Sequence, residues 1–206
     1  MRLFRQLFAV LALLCATYAH AEVVAGKDYK LLNPPQPSSG AKIEVVEFFF
    51  YACPHCWHMY APLAAWEKSK AKDVELKFVP VMFNEAAEPM ARTYYVLEAM
   101  GKLGTMHEAL FKAWHVDNID LSDEAKIADF VAKHGVDRQR FEADYNSFAI
   151  ASKIARSNQM AQSYNIRGTP TIIVDGKYVI TGLTPQDTIR VLDEVVKVAR
   201  KERAGR

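Results

Sequence analysis

The sequence predicts an α/β fold in which an all-helical domain interrupts a strand-bearing core. Three observations predict it. An almost continuous apolar run of β-formers, Ile43 to Phe50, is followed at once by a helical pattern. From Asn84 to about Gln162 the pattern is helical throughout, with no β signal between. β character then returns between Thr171 and Ile180, ahead of a last amphipathic helix.

Taken in order, Lys30 to Leu32 reads as a short leading strand. Asn33 to Gly40, rich in Pro and Ser, is a connector. The length and composition of Ile43 to Phe50 favour a buried strand. Pro54 stands where a first helical turn tolerates proline, and Cys56 to Lys70 continues as helix. Val74 to Met82 contains Pro80, which suits an edge strand. Helices are expected over Glu88 to Met100, Thr105 to Trp114, from Ser122 as N-cap to Gly135 as stop, Asp137 to Asn146, and Phe148 to Tyr164. Asp175-Gly176 turns a hairpin between Thr171–Val174 and Lys177–Ile180. Ile189, Leu192, Val195, Val196 and Ala199 form the apolar stripe of the closing helix. The core is thus residues 22–83 and 163–206, and the helical insertion is 84–162.

The first residues set the compartment. Arg2 and Arg5 precede an apolar stretch from Leu7 to Ala16, and Ala19-His20-Ala21 fits a small-x-small cleavage site. Residues 1–21 read as a secretory signal peptide cleaved after Ala21. A retained anchor is the alternative, but it usually needs about 20 apolar residues. Removing 1–21 discards Cys15 and two of the 26 basic residues, which leaves 24 against 24 acidic ones. A neutral chain of this kind lacks the basic excess of a nucleic-acid binder.

Two of the three cysteines then remain, Cys53 and Cys56. Exported proteins live where disulfides persist. A structural disulfide usually closes a long loop, and this pair encloses only Pro54 and His55. Such a bridge adds little stability, so the pair points to redox chemistry. A zinc site is the main alternative, with His55 or His58 as further ligands, but no second cysteine pair is present.

At a helix N-terminus, Cys53 would face free backbone N–H groups and the positive end of the helix dipole. Both favour the thiolate, which is the attacking species. Cys56, one turn further, would be the buried resolving thiol. His55 would support the thiolate as a cation or donor. Stabilising the thiolate stabilises the dithiol form, which makes the disulfide an oxidant. Glu47 is the one acid within the apolar strand, where a charge is costly without a partner or a task. Lys77, in the next strand, is its candidate partner. His58 divides between groove and surface, while His107, His115 and His134 read as structural or surface residues. Trp57 and Met59 are candidates for an apolar rim around the pair.

The run from Glu47 to Cys56, Glu-Phe-Phe-Phe-Tyr-Ala-Cys-Pro-His-Cys, resembles the DsbA family of bacterial periplasmic dithiol oxidases. The resemblance extends from Tyr29 to the final helix. It implies a thioredoxin fold with an inserted helical domain, and the 117 residues from Cys53 to Pro170 leave room for one. It also implies an oxidising direction, so that direction is not an independent finding. By the same resemblance, Pro170 is a cis-proline beside the cysteines, and Thr169 before it offers its backbone to substrate. Glu47 and Lys77 become a proton relay to the resolving thiol. Thr169 departs from the valine that several members carry. The expected partners are unfolded exported proteins with free cysteines and a DsbB-like inner-membrane re-oxidase. No cofactor or metal is expected beyond the Cys53–Cys56 disulfide, and the protein is expected to be a periplasmic monomer. The rivals are a disulfide isomerase or reductase, and a binding module whose cysteines are incidental.

Overall fold

The computed structural model describes residues 23–38 and 40–205. The proposed signal peptide, and Cys15 with it, lies outside these residues. The elements are β1 (Lys30–Leu31), β2 (Ile43–Phe49), α1 (Pro54–Ser69), β3 (Val74–Pro80), a 3-10 turn (Glu85–Ala87), α2 (Glu88–Ala99) and α3 (Leu103–His115). They continue with α4 (Glu124–Lys133), α5 (Arg138–Tyr145), α6 (Phe148–Ser163), β4 (Thr171–Val174), β5 (Tyr178–Thr181) and α7 (Pro185–Ala204).

One five-stranded sheet runs in the order β1-β5-β4-β2-β3. β2 pairs parallel with β3 and antiparallel with β4. All seven residues of β2 are buried, because helices cover both faces of this central strand. On one face Ile43 and Val45 pack with Met59, Leu63 and Trp66 of α1 and with Val191, Leu192 and Val195 of α7. On the other face Val46 and Phe48 pack with Tyr164 beyond α6. β3 lies at the sheet edge, as Pro80 required. Asp175 and Gly176 have φ of 53° and 66°, and Val174 pairs with Tyr178, so the hairpin loop is the three residues 175–177. A Cβ on Gly176 would fall 2.1 Å from the Gln36 carbonyl oxygen, so side chains are excluded there by space as well as by φ.

The helical block has its own core, built around Leu97, Leu110, Ile127, Val131 and Phe141. That core is continuous with Phe49, Tyr51 and Cys56 at the end of β2 and the start of α1. The insertion therefore rests directly on the segment that carries the cysteines. The end of α6 turns back to the sheet, where Met160 and Ala161 pack against the Val46 face.

One expected cap is corrected. Asp123, not Ser122, is the N-cap of α4, and its carboxylate accepts from the Lys126 N–H at 3.0 Å. Both residues suit a cap, and Ser122 is already engaged, its backbone N–H donating to Asp120.

Candidate active site

Strand β2 runs into a tight turn at residues 50–53, closed by the Cys53 N–H donating to the Phe50 carbonyl at 3.0 Å. Cys53 is the N-cap of α1 and Pro54 its first residue. The ring of Pro54 fixes a helical φ, and the N–H it lacks would have had no helical partner anyway. Cys53 is partly exposed, Cys56 is buried, and the two sulfurs are unbonded. The structure is thus the dithiol form.

The two thiols are held apart in acidity. Cys53 is lowered from 9.0 to about 5. The largest cause is the hydrogen bond that the Cys56 thiol gives it. A hydrogen bond from Thr169 and the backbone N–H groups of Cys56 and His55 add to it, against an opposing effect of burial. Cys56 is pushed well up by that same bond to Cys53, then by burial and by Glu47. At neutral pH Cys53 is a thiolate and Cys56 a thiol.

Thr169 meets Cys53 in two ways. Its carbonyl accepts from the Cys53 thiol at 3.3 Å, a contact that suits only the protonated sulfur. Its hydroxyl favours the anion. Near neutral pH the hydroxyl decides, because the sulfur is charged there. The Thr169–Pro170 peptide bond is cis.

His55 is exposed at the open end of the site and reaches Cys53 through its backbone N–H. His58 is also exposed. With His55, Met59, Thr169, Pro170 and Leu183 it lines a cavity of about 610 Å³ beside the cysteine pair. His58 is thus at the surface and on the groove lining at once. Met59 is corrected: it is 1% exposed and belongs to the core beneath this groove rather than to its rim. Trp57 is half-buried and stacks on Tyr60.

Glu47 is 4% exposed and lies below the cysteines on the α1 face of β2. Burial, then the charge of Cys53, raises its carboxyl from 4.5 to about 8. It is protonated at neutral pH, and it acts in turn on Cys56.

Lys77 is not its partner. The β2/β3 register pairs Lys77 with Val46, and Glu47 with Phe78. Lys77 therefore projects from the opposite face of the sheet, since neighbours along a strand alternate. There it donates to Glu44 at 2.6 Å and lies 3.4 Å from Glu75. A register shift of one residue would have reversed this, and the sequence does not set that register.

The histidines of α3 carry more than their sequence positions suggest. His107 bonds the Tyr51 hydroxyl and His115 bonds the Tyr51 carbonyl, each at 2.7 Å. Only the helical periodicity that puts His107, Phe111 and His115 on one face could have linked them in advance.

Comparison with known proteins decides the assignment. Residues 58–192 match the DSBA-like thioredoxin domain.

The chain belongs to the DsbA family.

The matched span begins two residues after Cys56, so this DsbA assignment does not depend on the cysteine motif that suggested it. The chain is 35% identical over 205 residues to the thiol:disulfide interchange protein DsbA of Bordetella parapertussis, covering 96% of this chain and 98% of that one. Against the DsbA of Pseudomonas aeruginosa PAO1 it is 35% identical over 188 residues, 89% of this chain and 88% of the other. The crystal structure of Xylella fastidiosa DsbA superposes with a TM-score of 0.82 at 34% identity, over 87% of this chain and 99% of that one. That of Pseudomonas aeruginosa DsbA gives 0.82 at 35%, over 89% and 96%. The fold is a thioredoxin fold with a helical insertion, and the protein is a thiol–disulfide oxidoreductase.

Proposed function

We propose that the protein is a periplasmic dithiol oxidase that donates its Cys53–Cys56 disulfide to newly exported proteins. A substrate thiolate attacks the Cys53 sulfur. A mixed disulfide forms, and Cys56 leaves as a thiolate. Glu47, neutral and buried beside it, supplies the proton that Cys56 needs at neutral pH. A second substrate thiolate then attacks the substrate sulfur bound to Cys53. The substrate leaves with a disulfide, and Cys53 departs as a stabilised thiolate. Two electrons pass from substrate to enzyme; of the two protons the substrate thiols give up, one restores Glu47 to its neutral form and the other goes to solvent.

The difference between the two sulfurs carries this reading. Cys53, lowered to about 5, is the better leaving group and the stable end of the reaction, while Cys56 is held as a thiol. His55 supports the anion through its backbone N–H and, when protonated, through its charge. Thr169 and cis-Pro170 receive an extended substrate segment, backbone to backbone, over the groove beside His58. Lys77 is left out of the relay. The redox-active disulfide is the only prosthetic element this cycle uses. The protein works as a monomer with no nucleic-acid partner, and a DsbB-like membrane protein re-oxidises it.

Oxidation of a reduced dithiol peptide tests the roles. Wild type should oxidise it and Cys53→Ser should not. Cys56→Ser should accumulate mixed disulfides through Cys53 on non-reducing gels from cells. Equal oxidation by wild type and Cys53→Ser would remove Cys53 from the mechanism.

A further inference from the structure

Tyr51 stands two residues before Cys53, and α3 holds it at two points. Its hydroxyl bonds His107 Nδ1 at 2.7 Å and its main-chain carbonyl accepts from His115 Nε2 at 2.7 Å. Tyr51 is 1% exposed, with its ring centroid 4.8 Å from that of Phe111 and 5.0 Å from that of Phe49. Burial holds His107 down to about 3 and pushes the Tyr51 hydroxyl up, so both are neutral at any physiological pH. A carbonyl only accepts, so His115 Nε2 carries a proton.

His115 also reaches the far side of the cysteine turn. Its ring stacks on Trp57, with centroids 6.3 Å apart and planes 9° from parallel. The Trp57 main-chain N–H in turn donates to the Cys53 carbonyl at 3.2 Å. One histidine of the insertion thus touches the chain both before and after the cysteines.

We propose that His115 and His107 are positioning residues: through Tyr51 the helical insertion fixes the turn that presents Cys53, and so helps to set the balance between disulfide and dithiol. This rests on the redox reading of Cys53 and Cys56. The thiolate is held first by the Cys56 thiol, then by Thr169 and by the backbone N–H groups of Cys56 and His55, and every one of these donors works only while the turn keeps Cys53 in place among them. A neutral disulfide sulfur demands much less of those donors. Loosening the turn therefore weakens the dithiol form more than the disulfide, and the protein becomes a weaker oxidant.

The test compares His115→Leu, which removes the donor, with His115→Gln, whose amide N–H can stand in for Nε2–H. Each is equilibrated with reduced and oxidised glutathione at neutral pH. Loss of one hydrogen bond should lower the equilibrium constant for reduction by about fivefold in His115→Leu. The Cys53 titration midpoint should rise with it, and His115→Gln should stay within about twofold of wild type. Urea unfolding of the oxidised and reduced forms closes the same thermodynamic cycle, so a less stable variant remains informative. Equal destabilisation of both redox forms, or an unchanged equilibrium constant, would overturn the proposal. If wild type itself failed to exchange with glutathione, the redox reading would fall, and this proposal with it.

Discussion

Replacing Glu47 by Gln should change how stability depends on pH. The folded chain keeps a proton on Glu47 up to about pH 8, because the carboxyl is buried and sits near Cys53. In the unfolded chain that proton leaves near the ordinary value of 4.5. The folded state binds more protons between these values, so stability falls as pH rises from 4.5 to about 8. At pH 7 about 2.5 pH units of that window have been crossed, at about 1.4 kcal/mol each, which comes to about 3.5 kcal/mol. Gln is uncharged at every pH and carries no such slope. Burying its amide adds an offset of about 1–3 kcal/mol, but that offset does not vary with pH. Urea unfolding of the reduced protein at pH 4 and pH 7 reads the effect. Relative to wild type, Glu47→Gln should gain about 3.5 kcal/mol between the two pH values. A difference between variant and wild type that is the same at both pH values would refute a neutral, buried Glu47.

Two further outcomes follow from the same geometry. Cys56→Ala removes the largest cause of the lowered Cys53 acidity, so the Cys53 midpoint, about 5 in wild type, should move towards 9.0; ultraviolet absorbance of the thiolate against pH measures it. Lys77→Met leaves Glu44 without its 2.6 Å partner on the face away from the cysteines. It should cost about 1 kcal/mol in urea unfolding and leave the glutathione equilibrium within about twofold; a larger redox change would restore Lys77 to the relay.

The sequence made local features legible and left long-range ones open. Cys53 at a helix cap, Pro54 at the first position and the Asp175-Gly176 turn follow from residue type and immediate neighbours, and all three are present. Glu47 was conspicuous because a charge interrupts an apolar strand. Its lack of a Lys77 partner is not legible there, because parallel register depends on the packing of whole elements, not on any local signal. Tyr51, His107 and His115 were opaque for a related reason. Their contacts join residues 56 and 64 positions apart, and each residue alone resembles ordinary core or surface. The effect of the Thr169 hydroxyl on Cys53 emerges only when the two segments meet.

The central claim is that the Cys53–Cys56 disulfide is a donor, and its reduction potential at pH 7 tests this most directly. The Cys53 value of about 5 lies about two pH units below neutrality, worth up to about a hundredfold for the dithiol form. Cys53 is partly exposed, and solvent screening reduces this to on the order of tenfold, or about 30 mV for a two-electron couple. Equilibration with glutathione should therefore give a potential more positive than that of the glutathione couple, with the Cys53–Cys56 disulfide reduced in preference to glutathione disulfide. A potential below about −300 mV, the range of inert structural disulfides, would contradict the account.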